Sequence, residues 1–177
     1  MLFSERSLWT MAHGIGLGGA GLLALAAVLF AFYLLGEREA IALSSDWPAR
    51  AVAHLTGLAA VLLWLASLVG TYVVFPPYRA TPPEGAADLA AYPRSLLLAD
   101  PATSWLHAFA METKEHLPWI ATMLTTAVAF VAWRSGPRLL RDRSLRRTAS
   151  GLLALSFLIV AYVSILGVFV NKVAPLE

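Results

Sequence analysis

Leu152-Leu-Ala-Leu-Ser-Phe-Leu-Ile-Val-Ala-Tyr-Val-Ser-Ile-Leu-Gly-Val-Phe-Val170 runs without one charged side chain. A helix of about 20 such residues, rising 1.5 Å each, crosses the hydrocarbon core of a bilayer. Three further blocks, at 15–35, 52–75 and 117–133, have the same character. A helix of a water-soluble bundle would carry a polar stripe with a 3.6-residue period, and these blocks carry none. The 177 residues are 59% hydrophobic and only 14% charged. The sequence therefore predicts one all-α domain over 1–177, an integral membrane four-helix bundle with spans of about 14–36, 50–75, 117–134 and 149–171. Its primary partner is the lipid bilayer.

The formal net charge of +2 hides a strong asymmetry. Arg134, Arg138, Arg141, Arg143, Arg146 and Arg147 fall between the third and fourth blocks, against Asp142 alone. Between two membrane spans such a run marks the cytoplasmic side rather than a nucleic-acid surface, so no nucleic-acid partner is expected. The 134–147 loop is thus expected in the cytoplasm. Both termini and the 76–100 loop are then outside, and the 36–50 loop, capped by Ser45 or Asp46, is inside. Trp9, Trp47, Trp105, Trp119 and Trp133 lie near predicted span ends, as interfacial aromatics do.

The absence of cysteine excludes covalently attached c-type haem and cysteine-ligated iron–sulfur clusters within this chain. Gly14, Gly16 and Gly19 match the dinucleotide fingerprint formally. No strand precedes them and a membrane span follows, so the fingerprint is rejected. Gly14 and Gly18 instead suggest a small-residue face for close approach of a helix or a flat ligand.

Residues 76–100 carry Pro76, Pro77, Pro82, Pro83 and Pro93 and predict an outer proline-rich loop folded back over the bundle. Asp100-Pro101 is a helix start. Pro118 lacks an amide hydrogen and frees the Lys114 carbonyl, which predicts a kink or break. An amphipathic outer helix over 101–116, ahead of span three, is therefore expected.

The segment 105–119 concentrates ionisable side chains, and at membrane depth these are candidate functional groups. His13 and His116 fall at matching depth on helices one and three, and two such imidazoles can be axial ligands of a non-covalent haem b iron. His13 with His107 is the alternative pair. Glu112, four residues before His116, shares its face on a continuous helix and could orient the ring. Arg79 or Arg94 could reach the haem propionates. His54 lies alone near the inner face. A second chemistry is a carboxylate–histidine metal site or proton relay from His107, Glu112, Glu115 and His116. A third reading makes the chain a non-catalytic docking subunit, with Glu112, Lys114 and Glu115 solvating the outer helix.

Four spans with histidines at their ends resemble the small b-type cytochrome membrane subunits that pass electrons between quinones and periplasmic redox partners. The resemblance implies haem b near the outer face, membrane or periplasmic redox subunits as partners, quinone as a possible substrate, and the bacterial inner membrane as location. The histidine spacing does not reproduce the two-haem cytochrome subunits of formate dehydrogenase and hydrogenase. Gly70-Thr-Tyr-Val-Val-Phe-Pro-Pro-Tyr-Arg-Ala-Thr-Pro-Pro-Glu-Gly85, with Tyr92-Pro-Arg94 and Lys114-Glu-His116, is similar to small bacterial membrane proteins, a resemblance that carries no activity with it.

Overall fold

The computed structural model describes residues 4–37 and 46–175. Four helices are each long and apolar enough to cross a membrane. They are α1 (Glu5–Leu35), α2 (Trp47–Tyr78), α4 (Leu106–Arg141) and α5 (Arg143–Val173), with a short α3 (Pro93–Ala99) between the second and third. No strand occurs among the described residues. The architecture is that of a multi-pass membrane protein. Each long helix packs on its chain neighbours, and α1 closes the ring against α5. Residues 38–45 of the expected inner loop, with the Ser45 cap, lie outside the described residues. Asp46 stands at the start of α2 with helical angles and no side-chain cap bond; a capping residue ordinarily needs extended angles to turn its oxygen back.

Between lipid-facing helices the hydrophobic effect gives little driving force, so polar and small side chains must hold the bundle. Ser67 Oγ lies 3.2 Å from Thr122 Oγ1, and Trp64 Nε1 donates to Thr126 Oγ1 at 3.1 Å, joining α2 to α4. Ser156 Oγ donates to the Ala121 carbonyl at 3.2 Å, joining α5 to α4. Ala49 packs on Gly136, where a Cβ would lie 3.2 Å from the alanine methyl.

Three expectations are corrected. The kink at Pro118 is absent: α4 runs through it, and its one departure from helical angles is Ser135 (φ −141°, ψ 30°), beside Pro137. The Thr122 hydroxyl donates to the Pro118 carbonyl at 2.8 Å and meets Ser67, which ties the turn that follows Pro118 to α2. Such neighbours, with local π-helical adjustment, are what make proline tolerable in membrane helices. The separate outer helix over 101–116 is therefore replaced by one continuous helix that is π-helical over Leu106–Met111. Asp100 does cap its approach, accepting from the Ala102 amide at 2.8 Å.

The 134–147 segment is the second correction, a helical hairpin rather than a loop. Asp142 Oδ1 accepts from the Ser144 and Leu145 amides at 2.9 and 3.1 Å and starts α5. Buried Arg146 donates to the Leu140 carbonyl, one of the orphan acceptors at the end of α4. The third concerns Gly14 and Gly18 as a face for another helix. A Cβ at Gly14 would meet nothing within 4 Å, and one at Gly18 only the helix's own His13 carbonyl. Close approach is instead made at Gly70, Gly136 and Gly167.

Two apolar clusters fill the bundle. The larger includes Leu25, Val28, Leu63, Ala121, Val128 and Leu153. The smaller, toward the end carrying the chain termini, includes Tyr78, Leu97, Leu106, Met111 and Leu166. The residues between them in sequence on α2 and α4 include Gly70 and Lys114.

Candidate functional site

That intervening layer takes one residue from each long helix. His13 sits in a π-helical stretch of α1, Ala12–Gly19, and Gly70 opens another in α2, Gly70–Val74. A Cβ on Gly70 would lie 2.6 Å from His13 Cε1 and 3.2 Å from each ring nitrogen, so the imidazole abuts the glycine edge-on. On the far side Lys114 of α4 reaches α5, where a Cβ on Gly167 would lie 2.5 Å from Nζ. His13 and Lys114 are within electrostatic range of each other. Short π-helical stretches of this kind are frequent at functional sites.

The His13 ring faces the Ala66 backbone carbonyl, and its buried Nδ1 has no hydrogen-bond partner. In a neutral imidazole one ring nitrogen donates and the other accepts, so the buried Nδ1 is an unmet donor or an unmet lone pair according to the tautomer. An unsatisfied buried polar atom costs about 1–3 kcal/mol. A cavity of about 270 Å³ lies at this end, lined by Glu5, Arg6, Trp9, Thr10, Val73, Val74 and Pro77. Thr10 is three residues before His13, and Val74 is four after Gly70. His13 and Gly70 do not themselves line the cavity; these two near neighbours along α1 and α2 do.

The remaining candidates form a second cluster nearer the chain termini. His107 Nε2 accepts from Arg94 Nε at 3.3 Å, and its Nδ1 lies 3.0 Å from the Tyr78 hydroxyl. Because guanidinium can only donate, Nε2 holds the lone pair and Nδ1–H donates to Tyr78. Arg79 stacks over Phe75 with Cζ 5.3 Å from the ring centroid. Glu112 and Glu115 lie within electrostatic range of Tyr78, and Arg79 and Arg94 within range of His107. Four of the six sequence-predicted site residues, His107, Glu112, Arg79 and Arg94, thus converge. His13 and His116 do not join them.

The residues present do not fit a bis-histidine haem. His116 is exposed, and its Nδ1 contacts the backbone carbonyl of Glu112 at 2.8 Å rather than the Glu112 carboxylate. It stands two residues from Lys114, about 200° around the helix, so it turns away from the face that meets His13. His107 cannot substitute, because both of its ring nitrogens are engaged. Arg94 is committed to His107 and Arg79 to Phe75, so neither is free for a propionate as placed. Among the described residues no group of three or more histidine or carboxylate side chains is placed to hold a metal ion. His54 contacts its own helix at the Arg50 carbonyl, 2.7 Å away, and packs edge-on to Trp133 at 5.1 Å.

Sequence reasoning missed Lys114, Gly70 and Gly167. Lys114 had a signal. Buried Ala110, Met111, Ala121, Thr122 and Thr125 recur at helical spacing, and Lys114 with Pro118 completes that stripe.

Residues 16–86 match the model of a protein family of unknown function (DUF6111). No curated protein and no solved structure matches the chain. The matched segment contains Gly70 and all three cavity residues of α2 but neither His13 nor Lys114.

Proposed function

We propose that the chain is a quinol-binding membrane subunit of an electron-transfer assembly in a bacterial inner membrane, without a haem of its own. The arginine hairpin then faces the cytoplasm under the positive-inside rule, and the cavity lies on the outer side. The single observation that carries this reading is the unpartnered, buried His13 Nδ1, three residues along α1 from Thr10 in the wall of a cavity that Trp9, Val73, Val74 and Pro77 also line. Such a wall suits a flat, apolar ring, and its volume approaches the ~300 Å³ lower end of small-molecule sites. The isoprenoid tail would run into lipid. In the tautomer that leaves Nδ1 unprotonated, a quinol hydroxyl donates to its lone pair, as a quinone carbonyl cannot.

Oxidation of the quinol releases two electrons and two protons. His13 takes one proton, water at the Glu5–Arg6 mouth takes the other, and the electrons pass to a redox centre on a neighbouring subunit. Extraction of the purified chain should give about one quinone per protein, reduced at least tenfold in His13→Ala. Equal quinone content in the two would contradict the reading. So would a b-type haem band that disappears in His116→Ala.

A further inference from the structure

The arginine hairpin carries an inference independent of the quinol site. Arg134, Arg138, Arg141, Arg143 and Arg147 are exposed, while Arg146 is buried in the turn. Arg138 and Arg141 lie one turn apart on α4, and Arg143 and Arg147 one turn apart on α5. Each pair therefore shares a helix face, and the two helices meet at Asp142. The single acid of the segment, Asp142, can offset only one of the six arginines, and its Oδ1 accepts from two backbone amides of α5. The Arg146 bond to Leu140 fixes the two rows against one another. At the base of the rows Trp133 is exposed, at the depth an interfacial aromatic takes.

We infer that this hairpin is a binding site for the phosphodiester headgroup of an anionic phospholipid in the leaflet it faces. Positive-inside topology needs only a surplus of charge. Here, as at 11 of the chain's 13 lysine and arginine positions, every cation is arginine, and six of them gather in this one hairpin; the planar fork binds phosphate oxygens in pairs where lysine offers a point charge. The rows continue directly into two apolar helices, which places the phosphate site at headgroup level and leaves the acyl chains against the helices.

The test is native mass spectrometry of the full chain released from nanodiscs of phosphatidylglycerol mixed with phosphatidylcholine. Phosphatidylglycerol should be retained at least tenfold over phosphatidylcholine and survive excess inorganic phosphate. Arg138→Gln with Arg141→Gln should weaken retention about 25-fold, on the basis of ~1 kcal/mol per arginine. Lysine at the same two positions should recover only part of that loss. Equal retention of the two lipids, displacement by free phosphate, full recovery by lysine, or tighter capture of a short RNA would each overturn the proposal. Arg94→Gln, at the opposite end of the bundle, should leave retention unchanged.

Discussion

The two ends of this bundle use similar helices for opposite purposes. At the arginine end, α4 kinks at Ser135 beside Pro137 and α5 is regular from a tight turn, and the buried groups there complete structural requirements. Asp142 starts a helix, Arg146 finishes one, and Gly136 admits Ala49. At the terminal end, three helices pass into π-helical geometry, an imidazole nitrogen is left without a partner, and a lysine is turned into the bundle. Groups that cost stability without completing the fold are candidates for work. The difference assigns structure to one end and chemistry to the other.

The sharpest way to break that contrast is Gly70→Ala. Its methyl would arrive 2.6 Å from His13 Cε1, on a short side chain fixed to a packed helix. Overpacking of this kind costs about 1–3 kcal/mol. Quinol binding should fall more than tenfold as the ring is displaced, read by thermal unfolding in detergent alongside ligand titration. Arg146→Ala should come next, costing about 2 kcal/mol because the Leu140 carbonyl is left unsatisfied. That loss should appear in the unfolding midpoint, with quinol affinity unchanged within twofold. Gly167→Ala should have the smallest effect, under about 1 kcal/mol, since the clash is with the far end of Lys114, which can swing aside. A large loss at Gly167 with a small one at Gly70 would invert the account of which contact is rigid.

The spans were legible because uninterrupted apolar blocks have few alternative fates, whereas the helix start read at Asp100-Pro101 is a turn over 101–103 that precedes the helix. Pro118 misled for a physical reason. Proline's cost in an isolated helix is local, whereas here the turn that follows Pro118 is tied through Thr122 to Ser67 of a second helix, and the helix runs on through it. Reading a break at Pro118 also removed Lys114 from the inward stripe, so its orientation was lost with the helix. Depth, which sequence gives, placed His13 and His116 at one level. Rotation about the helix, which packing decides, turned them apart. Gly70 and Gly167 could not be singled out, because what a glycine admits depends on the helix opposite. Arg146 was indistinguishable among six arginines until the turn brought it to Leu140.

The most direct test of the terminal-end site uses Trp9, which lines the cavity, as its reporter. Short-chain benzoquinone, which quenches indole emission, is titrated into the purified chain, into Trp9→Phe and into His13→Ala, each after reduction to the quinol and reoxidation in place. The account predicts saturable quenching in the wild type, its loss in Trp9→Phe, and at least tenfold weaker quinol affinity in His13→Ala. Quenching that is linear in quinone or persists in Trp9→Phe, or a quinol affinity unchanged in His13→Ala, would contradict it.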